Sequence, residues 1–123
     1  MKAEIFDSFS RSVTRLAEIL KEPKTVANRD SAIKRFELTF ELAWKSAKVY
    51  LGDQGIVRQS PRACLSEIFR LGLVSDNPLW LKMIHDRDLS VHTYNERLAE
   101  DIYGRLSRYL ELFGELKGSL DLK

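Results

Sequence analysis

Apolar residues recur at every third or fourth position along most of this 123-residue chain, and almost nowhere at every second position. Such spacing places side chains on one face of an α-helix, whereas a half-buried strand requires alternation. The pattern therefore predicts an all-α fold, an antiparallel up-and-down bundle of four to five helices joined by short loops. Because no repeat, low-complexity tract or linker interrupts it, residues 1–123 are expected to form a single domain.

Proline, glycine and capping residues set the expected ends of the first two helices. The first helix should stop before Pro23, since a proline disfavours helix in the residue that precedes it. The second should be capped by Asn28 or Asp30 and should end at Gly52 and Gly55. It has apolar residues on two sides, which predicts a central position, and its main stripe consists of Ile33, Phe36, Phe40, Ala43, Ala47, Tyr50 and Leu51.

Three further helix starts follow. Ser60-Pro61 combines a capping serine with proline at the first helical position, and Asn77-Pro78 repeats that signal. Thr93 followed by Glu96 fits a capping box, in which the two side chains cap each other's backbone amides. The stripe of the fourth helix is Trp80, Met83, Ile84, Arg87 and Val91, and that of the last helix is Leu98, Ile102, Leu106, Tyr109, Phe113 and Leu116.

Composition limits the classes of partner and cofactor. A net charge of +2 argues against strong nonspecific nucleic-acid binding by charge alone, and leaves Arg58, Arg62 and Arg70 as either a local basic patch or a solvated face. The single Cys64 has apolar neighbours, which favours a core role. No metal-ligand spacing or phosphate-binding glycine loop is present, so no cofactor is expected. Without an apolar signal or membrane-spanning run, the protein is expected to be cytoplasmic.

The segment from residue 87 to residue 96 concentrates the side chains that can act on a phosphate. Arg87 lies on an apolar stripe, so its guanidinium requires a partner, either a carboxylate such as Glu37 or Glu41, or a phosphate. His92 would lie about 140° away from Arg87 around an ideal helix. Either the helix ends before His92, or the two residues act together from different subunits.

A helix start after His92 would create an anion site. If Thr93 is the cap, free amides of the last helix lie beside His92, and Arg87 could close the same pocket. A neutral imidazole there could accept a proton from a hydroxyl. Asp88 could orient the ring if the helix continued to His92, and Tyr94 would be the first residue of the last helix. The structural alternatives are a surface or capping role for His92 and an aromatic anchor for Tyr94.

These residues resemble the HEPN superfamily motif, which is an arginine, four to six residues beginning with a polar one, and a histidine. Here the motif runs from Arg87 through Asp88 to His92. Tyr94 completes the form Arg-x4-His-x-Tyr, which is similar to nucleotidyltransferase substrate-binding proteins, a branch that includes the toxins of HEPN/minimal nucleotidyltransferase toxin–antitoxin pairs. Segments 35–45, 60–62 and 93–96 also resemble that branch.

The resemblance implies a homodimer in which the motifs of both subunits face a shared cleft. It also implies a metal-independent endoribonuclease that leaves 2′,3′-cyclic phosphate ends, in which Arg87 stabilises the phosphorane and His92 acts as general base or acid. Tyr94 would accept AMP from a partner minimal nucleotidyltransferase. A second hypothesis is a non-catalytic subunit that binds a nucleotide or substrate for that nucleotidyltransferase, and a third is a purely structural helical dimer.

Overall fold

The computed structural model describes residues 2–121, with side chains from residue 4 onward. That part of the chain contains five α-helices, one short 3₁₀ turn and no strand, which confirms the predicted all-α class. None of its helices is both long and apolar enough to cross a membrane. The elements are α1 (Lys2–Leu20), α2 (Val26–Asp53), α3 (Pro61–Arg70), α4 (Leu79–Leu89), the 3₁₀ turn (Ser90–His92) and α5 (Glu96–Asp121).

Helix α2 is central, as its two apolar sides predict, because it packs against α1, α3, α4 and α5. Its main stripe is buried apart from the half-buried Tyr50. Phe36 stacks on Tyr109 of α5 with ring centroids 5.5 Å apart, and Phe113 lies 6.2 Å from Phe36. Phe9 of α1 meets Phe113 edge to face at 6.4 Å. This aromatic cluster joins the three longest helices and fixes the position of α5 relative to α2.

Several helix ends match the sequence and others differ. Helix α1 ends before Pro23, and the Ser60 hydroxyl caps α3 by accepting from the Ala63 amide, both as predicted. The expected cap of α2 is wrong: Thr25 accepts from the Asn28 amide at 3.0 Å, which starts the helix earlier. Asn28 is inside the helix, where its side chain donates to the Pro23 carbonyl.

The prediction of a capping box at the start of α5 is also wrong. Asn95, not Thr93, supplies the cap, since its Oδ1 accepts from the Leu98 amide at 3.1 Å. The Thr93 hydroxyl instead donates to the Ser90 carbonyl at 3.2 Å. The 3₁₀ turn ends the helical segment that begins with α4, and carbonyls at such an end lack donors within the helix. The Thr93 hydroxyl supplies a donor to one of them. Helix α5 therefore begins at Glu96, later than the box predicts.

Candidate functional site at the end of α4

The change from α-helix to 3₁₀ turn positions the motif residues. Arg87 lies in the last turn of α4, and His92 is the last residue of the 3₁₀ turn. Between them Ser90 is buried, and its hydroxyl lies 2.7 Å from the Arg87 carbonyl and 2.9 Å from a Glu37 oxygen. Ser90 therefore ties the end of α4 to the central helix α2. The sequence reasoning did not assign a role to this serine.

Arg87 is half-buried and faces α2. Its Nη2 donates to Glu41 Oε1 at 3.2 Å, which confirms one of the two predicted carboxylate partners. Its Nε is buried and has no acceptor among the described residues. An arginine N–H in this state retains capacity to bind a further acceptor. The guanidinium borders a surface cavity of about 330 Å³ lined by Lys34, Arg35, Glu37, Leu38, Glu41 and Arg87.

His92 and Tyr94 form a second, exposed pair. The His92 Nδ1 lies 3.4 Å from the Tyr94 hydroxyl, a weak hydrogen-bond distance. The rings meet edge to face, with centroids 5.8 Å apart. Tyr94 is 83% exposed, as expected for its hydroxyl, and lies in the turn before α5, so the prediction that it begins that helix and the alternative of a partly buried aromatic anchor are both wrong. Both side chains are open to a macromolecular substrate or partner.

The structure does not bring Arg87 and His92 together within one chain. Helix α4 ends at Leu89, before His92, which was one of the two alternatives predicted from the sequence. With ~100° per α-helical residue and ~120° per 3₁₀ residue, ideal geometry directs Arg87 and His92 about 160° apart. No hydrogen bond or ion pair joins them in the described part of the chain. Asp88 is exposed and does not contact His92, because the regular helix on which that expectation depended has already ended.

The start of α5 is not the predicted anion site. Asn95 already caps it, and the carboxylates of Glu96 and Glu100 accept from the buried Arg29 at 2.7 and 2.9 Å. Hydrogen bonding from Arg29 holds the pKa of Glu96 below its ordinary value, and Lys24 followed by Arg29 does the same for Glu100. Because Arg29 and Lys24 pair with these two carboxylates, the cations near the start of α5 are already occupied. The cavity beside Arg87 is lined by three cations and two carboxylates, so it has a small net positive charge.

A buried polar cluster lies immediately before Arg87 in the sequence. The Asp86 carboxylate is fully buried and accepts from Arg105 at 2.7 and 2.9 Å and from the Tyr109 hydroxyl at 2.5 Å. Burial and the adjacent carboxylate raise the pKa of Tyr109, so the phenol stays protonated and donates. Sequence reasoning missed Asp86, although the regular spacing of Trp80, Met83 and Asp86 gave a signal for it.

The arginines near α3 do not form a uniform basic patch. Arg58 and Arg70 both donate to the Glu67 carboxylate, at 3.0 and 2.7 Å. One carboxylate therefore pairs with two of the three arginines of the possible basic patch. Arg62 alone has no partner among the described residues. Cys64 is buried as expected, and burial raises the pKa of its thiol. No group of three or more His, Cys, Asp or Glu suited to a metal lies within residues 4–121.

The chain matches one known protein family. The family model described as "Nucleotidyltransferase substrate binding protein like" matches residues 4–121. The chain belongs to the nucleotidyltransferase substrate-binding protein family. This confirms the resemblance found in residues 35–45, 60–62 and 87–96.

The chain is also similar to individual proteins in sequence and fold. It is 38% identical to a Thermus thermophilus protein of known crystal structure, with a TM-score of 0.85 over 91% of this chain and 98% of the other. A Haemophilus influenzae structure, described as the fold of a substrate binding domain of a nucleotidyltransferase, is 24% identical, with a TM-score of 0.72 over 98% and 96%. At that identity the likeness shows the fold alone.

A curated Haemophilus influenzae (strain ATCC 51907 / DSM 11121 / KW20 / Rd) protein named "Probable ribonuclease HepT" is 30% identical over 84 residues. The matched region is 64% of this chain and 58% of that relative. The chain therefore spans little more than half the length of this curated relative.

Proposed function

We propose that this protein is a HEPN-type toxin, a metal-independent endoribonuclease that is neutralised by a partner nucleotidyltransferase. The observation that carries the proposal is the state of Arg87, which has a buried Nε–H with no acceptor among the described residues and borders a cavity whose three cations outnumber its two carboxylates, Glu37 and Glu41. A phosphate group supplies the missing acceptor and offsets the positive charge. The exposed His92, at the end of the 3₁₀ turn that follows α4, supplies the titratable group that phosphate chemistry needs.

The active arrangement requires two copies of the chain. Since Arg87 and His92 point apart in one chain, we propose a homodimer in which the partner subunit's His92 reaches the cavity beside Arg87. Exposed apolar side chains next to the motif support such an interface. Leu38 is 55% exposed and lines the Arg87 cavity, and Val91 is 63% exposed between Arg87 and His92. Formation of the dimer would therefore bury this apolar surface and complete the site at the same time.

The proposed reaction is an internal transfer at phosphorus. One His92 removes the proton from an RNA 2′-hydroxyl, whose oxygen attacks the adjacent phosphorus and forms a P–O2′ bond. The P–O5′ bond breaks, and the second His92 of the dimer gives a proton to the leaving O5′. Arg87 stabilises the negative charge that accumulates on the phosphoryl oxygens. The products are a 2′,3′-cyclic phosphate and a 5′-hydroxyl end.

Tyr94 is the proposed switch of this site. Its exposed hydroxyl can attack the α-phosphorus of ATP bound to a nucleotidyltransferase, forming a phosphodiester and releasing pyrophosphate and the phenolic proton. Because the hydroxyl lies 3.4 Å from His92 Nδ1, the added phosphate would lie beside that imidazole. A bound AMP group there blocks RNA and repels its phosphates, so the modification inactivates the toxin.

The alternative function is a non-catalytic subunit that binds a nucleotide or other substrate for the nucleotidyltransferase. The name of the family supports it. The same cavity beside Arg87 would hold a nucleotide phosphate, and Lys34 and Arg35 would provide charge without any proton transfer. The two functions therefore differ in the need for His92, because a binding site uses Arg87 and a nuclease requires both residues.

The decisive experiment expresses the chain alone and together with the nucleotidyltransferase. We expect growth arrest and RNA cleavage for the wild type, relief by the partner, and loss of both effects in His92→Ala. His85→Ala is the matched control, because His85 is an exposed histidine of α4 outside the motif. Cleavage should persist with a chelator and leave 2′,3′-cyclic phosphate ends. If purified wild type and His92→Ala both leave RNA intact while nucleotides bind, the substrate-binding alternative is correct.

A second experiment tests the switch. Incubation with the nucleotidyltransferase and ATP should add the mass of one AMP residue to the peptide that contains Tyr94, and Tyr94→Phe should block the addition. Tyr50→Phe is the control, since Tyr50 is half-buried and far from the motif in the sequence. Absence of the added mass on wild-type protein would show that Tyr94 is not the acceptor.

A third experiment tests the dimer. Leu38→Glu places a charge on the exposed apolar surface beside Arg87 and should convert the protein to a monomer in light-scattering measurements. Val57→Glu changes an apolar residue of similar exposure in the loop before α3 and should leave the assembly intact. Equal masses for Leu38→Glu and wild type would place the interface elsewhere.

A further inference from the structure

The cavity beside Arg87 contains a carboxylate that phosphate binding does not explain. Glu41 accepts from Arg87 Nη2, so the guanidinium offsets its charge. Glu37 lines the same cavity and forms no ion pair among the described residues. A site for a phosphate alone gains nothing from this second carboxylate, because like charges repel. Glu37 therefore calls for a ligand group other than the phosphate.

Only one oxygen of Glu37 is used within the described chain. Its Oε2 lies 2.9 Å from the Ser90 hydroxyl, which connects the 3₁₀ turn to α2. The same hydroxyl lies 2.7 Å from the Arg87 carbonyl, so Ser90 has an acceptor even without Glu37. Glu37 is half-buried, and its other oxygen, Oε1, is accessible to solvent and has no partner among the described residues. This oxygen can accept a hydrogen bond from a ligand.

The open oxygen and the Arg87 guanidinium together define the chemistry of that ligand. Glu37 precedes Glu41, the partner of Arg87, by four residues on α2, which is about 6 Å along the helix. An anion at Arg87 with a hydrogen-bond donor several ångströms away satisfies both groups. In RNA every phosphate is followed by a ribose, and the 2′-hydroxyl at the far side of that sugar is such a donor.

The lining of the cavity favours a sugar over a base as the source of the donor. Its described lining residues include no aromatic side chain on which a base could stack. Base amino groups also differ from one nucleotide to the next, whereas every ribonucleotide has a 2′-hydroxyl. A carboxylate that accepts from the sugar therefore selects for RNA and not for one base sequence.

We infer that Glu37 is a specificity-determining residue, which accepts a hydrogen bond from the 2′-hydroxyl of the ribose that follows the phosphate at Arg87. The inference rests on the proposed function, which places an RNA phosphate at Arg87. The hydroxyl bound by Glu37 is not the nucleophile, because the nucleophile belongs to the ribose on the other side of that phosphate. Glu37 thus selects RNA over DNA and takes no part in proton transfer.

The test compares two ligands on the same protein by fluorescence anisotropy. One is a short single-stranded RNA, and the other has the same sequence with fluorine at every 2′ position. Fluorine cannot donate a hydrogen bond but keeps the sugar pucker of RNA. All proteins carry His92→Ala, which would not cleave RNA under the proposed function. With Glu37 present, the 2′-fluoro ligand should bind about tenfold more weakly than RNA, as expected for loss of a hydrogen bond to a charged acceptor.

Two variants assign this tenfold ratio to one carboxylate. Glu37→Leu removes the carboxylate and leaves Ser90 its bond to the Arg87 carbonyl, so the fold should persist. In this variant the two ligands should bind with similar affinities. Glu41→Gln is the matched control, because it alters the other carboxylate of the cavity. It should change both affinities alike and keep the tenfold ratio.

A kinetic measurement tests which ribose is bound. A substrate with a single 2′-fluorine, in the nucleotide on the 3′ side of the cleaved bond, keeps its nucleophile. With His92 restored, its KM should be about tenfold higher than that of RNA, and kcat should be little changed. A fall in kcat at unchanged KM would assign this hydroxyl to the reaction itself and would contradict the inference.

The outcomes separate the inference from the proposed function. A 2′-fluoro ratio that persists in Glu37→Leu, or that is absent with Glu37 in place, would overturn the inference and leave the proposed function standing. Loss of the ratio in Glu41→Gln as well would attribute it to the charge of the cavity, and the inference would be wrong. Wild-type protein that neither binds nor cleaves RNA would overturn both.

Discussion

The Tyr109 hydroxyl donates a 2.5 Å hydrogen bond to the carboxylate of Asp86, and both side chains are fully buried. Arg105 completes the environment of this carboxylate with two further bonds. A buried carboxylate is stable only when it is fully paired, so α4 can occupy one position against α5. Because Arg87 follows Asp86 directly, this contact also fixes where the motif begins.

Asp86→Ala should destabilise the protein by about 2–4 kcal/mol, since it leaves the Arg105 guanidinium and the buried phenol without their acceptor. Tyr109→Phe should cost less, about 1–2 kcal/mol, because Asp86 keeps its two bonds from Arg105. Urea unfolding followed by circular dichroism measures both values. Equal stabilities for Asp86→Ala and wild type would contradict the role assigned to the cluster.

Asn95→Ala should destabilise the protein by about 1 kcal/mol, because Asn95 caps α5. Thr93→Ala should cost less, since Thr93 only donates to one carbonyl of the 3₁₀ turn. Thermal unfolding of the two variants decides between the observed cap and the capping box that the sequence favoured. A larger loss for Thr93→Ala would support the capping box.

Stability should fall at acid pH partly through Glu96 and Glu100. Their pKa values in the folded protein are lowered by Arg29 and Lys24, so their contribution is complete above the unfolded value of about 4.3 and is lost as the pH falls through the folded values. Arg29→Gln should make the free energy of unfolding less dependent on pH below about 5. Arg97→Gln, an exposed arginine one residue beyond Glu96, should keep the wild-type dependence. Equal slopes in the two variants would refute this assignment.

Glu41→Gln should strengthen binding of RNA, because Glu41 occupies the Arg87 guanidinium and adds negative charge to the cavity. A partly exposed ion pair of this kind is worth about 0.5–1 kcal/mol, which corresponds to a twofold to fivefold gain in affinity. Fluorescence anisotropy at low salt measures the effect, in a His92→Ala background that would not cleave RNA under the proposed function. Glu111→Gln removes the same charge from an exposed site on α5 and should have little effect. A similar gain from both would attribute the change to net charge.

The number, order and core faces of the helices were predictable because they depend on local spacing. The stripes of α2 and α5 are buried almost as predicted, and Ser60-Pro61 begins α3 as expected. These features involve residues within a few positions of one another, and 3.6 residues per turn is sufficient to relate them. The motif with Arg87 and His92 was likewise evident from sequence, and it led to the correct family.

Tertiary structure decided which groups meet across helices. In the structure Arg87 pairs with Glu41, Ser90 binds Glu37, and Asp86 accepts from Arg105 and Tyr109. Each of these contacts depends on the angle and depth at which α4 and α5 cross α2. The spacing of apolar residues within one helix does not specify how that helix crosses another. The sequence by itself determined the elements and the residues of the motif. Only the packing of α4 against α2 determined that Arg87 pairs with Glu41 and keeps a buried Nε–H without an acceptor among the described residues.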